Sequence, residues 1–185
     1  RELGVVIAPT GAGKSMALVS LGAAALKAGK TVVHYTLEMA ETVVGSRYDS
    51  CITEIVLGDL FVNKQKILER VKDVEGSLII KEYPTKSAST ETIKNHIERL
   101  KKRGIEPDVV IVDYADLLKP TKITREKRHD LENIYEQLRA IAQIYDCPVW
   151  TASQTNRSGL NAEVITMEAI SEAFNKCFVA DFICS

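Results

Sequence analysis

An α/β fold with a mainly parallel sheet and helices on both faces is the architecture this sequence predicts, and three observations predict it. Short runs rich in Val and Ile alternate with longer amphipathic stretches along the whole chain. The short runs are apolar without alternation, as strands buried on both faces are. Between the first run and the first helix stands Ala8-Pro9-Thr10-Gly11-Ala12-Gly13-Lys14-Ser15, a glycine-rich stretch in the strand-loop-helix setting that a phosphate loop requires. Strand and helix in alternation imply right-handed crossovers, and these make neighbouring strands parallel.

Leu3 to Ala8 reads as the first strand, and Lys14 opens a helix of Met16, Ala17, Leu18, Leu21, Ala24, Ala25 and Ala28 that Gly29 stops. Thr31 to Leu37 and Ser77 to Lys81 are the next strands. A helix over 90 to 103 turns Ile93, Ile97 and Leu100 inward and Arg99, Lys101, Lys102 and Arg103 outward, before Gly104 and Pro107 end it. Asp108 to Asp113 is a strand. The clearest helix covers 129 to 145, where Leu131, Ile134, Leu138, Ile141, Ala142 and Tyr145 recur at three- and four-residue intervals. Pro148 to Ser153 and Val179 to Cys184 complete the strands. No internal repeat interrupts the order.

At 185 residues the chain is expected to form one domain with a core that needs no staples. A 45% hydrophobic and 26% charged composition argues against disorder, and a net charge of -1 excludes general basicity, so contacts with nucleic acid must come from local patches. Cys51, Cys147, Cys177 and Cys184 form no C-x-x-C pair and read as buried free thiols of a reducing cytosol. No apolar run reaches eighteen residues, and the N-terminus lacks the pattern of a signal peptide. A soluble, cytoplasmic protein without a membrane partner is expected. Both ends read as cuts, which predicts an excised domain.

In a doubly wound sheet, ligands bind beyond the carboxyl ends of the strands. In the loop from Ala8 to Met16, Gly11 and Gly13 supply backbone conformations closed to other residues, and successive N–H groups converge on phosphates. Lys14 would reach the β- and γ-phosphates of a nucleotide and Ser15 would ligate Mg²⁺. Ala8, where glycine is usual, costs little at a strand end. "DVVIVDY" is an apolar strand ending in Asp113, the pattern of a second magnesium anchor, although Asp there also caps turns. Glu38 follows the second strand, where it can polarise a water or simply favour a helix N-terminus. Gln154 ends another strand and either touches the γ-phosphate or is solvated. Two basic stretches, Lys119, Lys122, Arg125, Lys127 and Arg128, then Arg157, are either solvated faces or phosphate-neutralising loops.

Taken together these residues resemble the RecA-like motor domain of DnaB-type replicative helicases. "APTGAGKS", "YTLEMA", "VVIVDYADLL" and "CPVWTASQTNR" match that family's motifs in order, and "ISEAFNKCFVADFI" does so less closely. The resemblance implies a single RecA-like ATPase domain over 1–185, with the N-terminal domain, the linker helix and the strands carrying the arginine finger absent. It implies ATP and Mg²⁺ held by Lys14, Ser15 and Asp113, Glu38 as catalytic base and Gln154 as γ-phosphate sensor. Loops at 119 to 128, 155 to 161 and 170 to 176, the last with Lys176, would line a channel around single-stranded DNA in a hexameric ring. Primase or a helicase loader are the further partners implied. Ser171 stands where the family commonly has Arg, which weakens the third loop's part in that channel. Without a finger in trans, worth about three to five orders of magnitude, the chain alone is expected to bind nucleotide and hydrolyse it slowly. Two other readings share these motifs: a recombinase or clock-type ATPase of the same fold, and a nucleotide-gated loading scaffold that unwinds nothing.

Overall fold

The computed structural model describes residues 1–124, 127–154 and 178–185. Among the described residues six strands form one sheet: β1 (Leu3–Ala8), β2 (Thr31–Thr36), β3 (Ser77–Glu82), β4 (Val109–Asp113), β5 (Val149–Gln154) and β6 (Phe182–Cys184). Their order is β3-β2-β4-β5-β1-β6 and every pairing is parallel. Among the described residues these helices accompany them: α1 (Lys14–Lys27), α2 (Glu41–Thr53), α3 (Lys64–Val71), α4 (Thr90–Lys101) and α5 (Lys127–Ile144).

Alternate residues of each central strand feed two cores. Val5, Ile7, Val33, Tyr35, Val110 and Val112 pack with Ile93 and Ile97 of α4 and Ile134, Leu138 and Ile141 of α5. Val6, Val32, Ile111 and Ala152 pack on the other face with Leu18, Val19 and Leu26 of α1 and Val44 and Tyr48 of α2. Strands apolar at every position are the signature of a sheet covered twice, so the expectation for the centre of the sheet holds. α4 begins with a capping box in which Ser89 and Thr92 exchange side-chain and backbone hydrogen bonds, and Gly104 at φ 76° follows its end.

The edges depart from the expectation. β3 is only partly buried, and β6 exposes Phe182 and Ile183, because an edge strand has one neighbour. β6 is also shorter than the run Val179 to Cys184. Phe178 and Val179 are helical, and Asp181 joins the turn before β6 to β1 by accepting the Leu3 N–H at 2.9 Å and donating its own N–H to the Leu3 carbonyl at 2.9 Å, while it pairs with Arg139. Glu41 and Glu82 each accept the other's backbone N–H, at 2.8 and 3.0 Å, and so tie α2 to the end of β3. Of the cysteines, Cys147 is buried as expected, whereas Cys51 and Cys184 are only partly covered; Cys177 lies outside the described residues.

Sequence periodicity assigns no element to 41–71, where α2 and α3 stand. α2 buries only Val44, Tyr48 and Thr53, and α3 only Ile67, too few positions to mark a face. What fixes α2 is a close approach to α1: a Cβ at position 22 would collide with the Tyr48 hydroxyl, so Gly22 admits Tyr48 against the helix.

That hydroxyl lies 3.0 Å from Nδ1 of His34, a fully buried residue at the middle of β2 whose Nε2 has no hydrogen-bond partner among the described residues. Burial pushes the His34 imidazole down to about 4 from the usual 6.5. Above pH 6.5 the ring is neutral whether folded or unfolded, and it contributes no pH dependence. Below 6.5 the unfolded chain takes up a proton that the native one refuses, so stability falls with pH until about 4. The loss over that window is expected to be about 3 kcal/mol. Urea midpoints measured between pH 7 and 4.5 should decline, and His34→Leu should flatten the decline.

Candidate nucleotide site

The ladder of the sheet brings together residues far apart in sequence. Ala8 of β1 stands in register with Gln154 of β5, and Thr36 of β2 with Asp113 of β4. All four lie at the carboxyl rim. Leu37 extends the β2 and β4 pairing by donating its N–H to the Asp113 carbonyl at 2.9 Å, which sets Glu38 at the same rim.

Beyond the rim opens a cleft of about 300 Å³. The loop residues Thr10, Gly11, Gly13, Lys14, Ser15 and Met16 form one wall, and Glu38, Arg47, Tyr114 and Gln154 the other. Gly11 and Gly13 have φ of 81° and 94°, in the left-handed region that other residues avoid, and a Cβ at either would meet open space. The glycines are therefore required by backbone conformation and not by crowding. Gly13 is the N-cap of α1, so the free N–H groups of the first turn face the cleft without a side-chain cap. Ala8, Pro9 and Ala12 stand behind the wall: the Ala12 N–H donates to the Pro9 carbonyl at 3.3 Å, and Lys14 Nζ donates to the carbonyls of Ala8 at 3.0 Å and Pro9 at 2.8 Å. Burial lowers the pKa of Lys14, against the pull of Asp113, Glu38 and Asp116.

Asp113 lies beneath the cleft, 1% exposed, and among the described residues neither of its carboxylate oxygens completes a hydrogen bond. Burial raises its pKa; the Ser15 hydroxyl nearby favours the charged form without reaching normal bonding geometry, Glu38 opposes that form, and Arg47 and Lys14 support it. A buried carboxylate with no donor is costly unless a cation completes it. Among the described residues no three His, Cys, Asp or Glu side chains gather as a metal cluster. A divalent ion here would rest on Asp113, Ser15 and the oxygens of a phosphate, which fits Mg²⁺ and its preference for few protein ligands. Gln154 donates through Nε2 to the Tyr114 hydroxyl at 3.0 Å, across the floor of the cleft.

The profile of one protein family, described as the DnaB-like helicase C terminal domain, matches residues 1–163. The chain belongs to this family. A DnaB-like replicative helicase of Enterobacteria phage T4 is 31% identical over 193 residues, covering 98% of this chain and 41% of that protein. The replicative DNA helicase DnaB of Helicobacter pylori strain 26695 is 24% identical over 155 residues, covering 79% of this chain and 31% of that protein. The chain thus spans less than half the length of these curated relatives. Two solved structures share the fold. The ATPase domain of one DnaB-type helicase superposes with a TM-score of 0.83 at 17% identity, covering 99% of this chain and 68% of that one. A DnaB-like replicative helicase, described with its interactions with primase, gives 0.82 at 16%, covering 98% and 46%.

The cleft of this DnaB-like domain brings together Lys14, Ser15, Glu38 and Gln154 over Asp113. Arg47 is the residue that sequence reasoning missed. It sits on α2, three residues after the buried Val44 and one before the buried Tyr48, which turns its helix flank toward the cleft. No signal in the sequence marked it: α2 buries too few apolar positions to show a face, and the phase that brings Arg47 to the rim is visible only in the structure.

The basic segment is placed only in part. Lys119 and Lys122 are exposed just after the turn that follows β4, and Arg128 is exposed on the first turn of α5. Lys127 begins α5. Arg125, Arg157 and Lys176 lie outside the described residues, as do the loops at 155 to 161 and 170 to 176. Among the described residues no helix is long and apolar enough to cross a membrane.

Proposed function

We propose that this chain is the ATP-hydrolysing motor of a replicative DNA helicase, acting in the cytoplasm as one subunit of a hexameric ring that advances on single-stranded DNA and separates the duplex. The observation that carries this reading is the convergence of Lys14, Glu38, Arg47 and Gln154 on one cleft above a buried, unpartnered Asp113. Primase or a helicase loader would dock on the assembled ring, by analogy with the DnaB-like relative described with primase.

Each side chain has a task that its place allows. The loop N–H groups and the start of α1 hold the triphosphate. Lys14 exchanges two backbone carbonyls for the β- and γ-phosphate oxygens. Ser15 and Asp113 would hold Mg²⁺, which when bound neutralises charge on the phosphoryl oxygens. Glu38, exposed at the lip of the cleft, takes the proton of the water that attacks the γ-phosphorus as the bond to the ADP oxygen breaks. Arg47 adds positive charge to that wall. Gln154 can move its amide from the Tyr114 hydroxyl to the γ-phosphate, so the strand end registers which nucleotide is present. Lys119, Lys122, Lys127 and Arg128, with Arg125, Arg157 and Lys176, then meet the phosphates of the strand.

A salt titration tests the last assignment. Changing Lys122, Lys127 and Arg128 together to Gln should weaken binding of an oligo-dT and flatten the plot of log affinity against log salt by about 2, near 0.7 for each phosphate of a single strand that is no longer neutralised. An unchanged slope removes this segment from the DNA path.

A further inference from the structure

One buried side chain, with no part in the chemistry above, ties the strand ends that carry Asp113 and Gln154 to the helix that follows the basic segment. Tyr135 of α5 is fully buried. Its hydroxyl donates to Oδ1 of Asp116 at 2.9 Å and, more weakly, to the carbonyl of Ala152 at 3.3 Å. Asp116 lies three residues past Asp113, in the turn Ala115–Leu117, and within electrostatic reach of both Lys14 and Tyr114. Ala152 lies two residues before Gln154, whose amide rests on Tyr114. The turn is fastened to β5 a second time, by the Ala115 N–H on Thr151 Oγ1 at 3.0 Å.

The other end of the connection is the basic segment itself. α5 holds its described part at two points: Asp130 accepts the Thr124 N–H at 2.8 Å, and Gln137 Nε2 donates to Thr121 Oγ1 at 2.8 Å. A helix of 18 residues passes a displacement at Tyr135 to both points nearly as a rigid body. Packing alone does not call for the hydroxyl, since Phe would fill the same volume without burying a polar group. A single O–H cannot serve two acceptors at full strength. The present 2.9 and 3.3 Å is an unequal sharing that a shift of a few tenths of an ångström between the turn and β5 would even out or reverse.

We propose that Tyr135 is a positioning residue that couples nucleotide occupancy of the cleft to the placement of the basic segment, through its shared hydrogen bond to Asp116 and Ala152. The proposal rests on the nucleotide and DNA reading above. It adds a route from the cleft to the segment after β4 that runs through α5, separate from the loop that follows Gln154. Coupling of this kind is reciprocal, so bound nucleotide and bound strand strengthen one another by one factor.

The test is the affinity of the full chain for a fluorescent oligo-dT, by anisotropy, with and without Mg²⁺ and a non-hydrolysable ATP analogue. The natural chain should bind at least about 5-fold more tightly with the analogue, the lower end of ordinary allosteric coupling. Tyr135→Phe should bring that ratio to within about 2-fold of unity, with the analogue's own affinity unchanged and a normal melting curve. Asp116→Ala should do the same, and the double variant should lose nothing more, as partners in one interaction do. A merely structural role would lower the melting temperature and leave the ratio intact. A natural ratio in both single variants overturns the coupling role and leaves the proposed function standing. No ratio in the natural chain overturns the nucleotide and DNA reading, and the coupling role with it.

Discussion

Glu38→Gln is expected to slow ATP hydrolysis by about 10²- to 10⁴-fold while leaving affinity for Mg-ATP within a few-fold. The amide keeps the shape of the side chain and can still orient a water, but it cannot take the proton. Because Glu38 is exposed two residues past β2 and makes no hydrogen bond among the described residues, the change should leave the melting temperature where it was. Steady-state ATPase assays and the binding of a fluorescent nucleotide separate the two effects. Unwinding of a forked duplex by the proposed ring should fall together with hydrolysis. Hydrolysis that persists near the natural rate would move the base elsewhere in the cleft and empty the Glu38 assignment.

Asp113→Asn should push activity and stability in opposite directions. The carboxylate is buried and, among the described residues, no donor completes a hydrogen bond to either oxygen, so its charge opposes folding. The amide carries no charge, though it remains poorly satisfied, and the gain is expected to be about 1 kcal/mol. The sign of its pH dependence follows from the raised pKa. An acid that holds its proton more tightly when folded makes the protein less stable as pH rises above the unfolded value, so the gain should be larger at pH 7 than at pH 4. Hydrolysis should meanwhile drop by at least about 10²-fold, because a metal ion supplies several kcal/mol of charge stabilisation that Asn holds poorly. The magnesium dependence of nucleotide affinity should weaken too. Thermal melts and ATPase assays on one preparation read both effects, and a variant that is less stable and fully active would sink the argument.

The contrast between these two carboxylates shows why the sequence was legible where it was. Lys14, Ser15, Asp113 and Gln154 announced themselves because each ends or follows a run of apolar residues, and such runs are strands covered on both faces. Their common rim then follows from parallel pairing alone. Arg47 and α2 were hidden because that helix buries two apolar side chains one turn apart, Val44 and Tyr48, and its position is settled by the hole that Gly22 leaves, a feature of shape and not of periodicity. The edges misled for a related reason: Phe182 and Ile183 read as buried, yet a strand with one neighbour need not bury an apolar residue. Tyr135 was not singled out among the positions of its helix. Its hydroxyl acquires meaning from Asp116 and Ala152, which no spacing in the sequence brings near it.

The in-register pairs Ala8 with Gln154 and Thr36 with Asp113 carry a consequence for variation. Strands that run the same way finish on one line, and the ladder between them holds that line regardless of how much chain each crossover contains. Insertions between strands can therefore accumulate without misaligning the reactive groups, whereas removal of one residue inside β4 would swing Asp113 to the opposite side of the sheet.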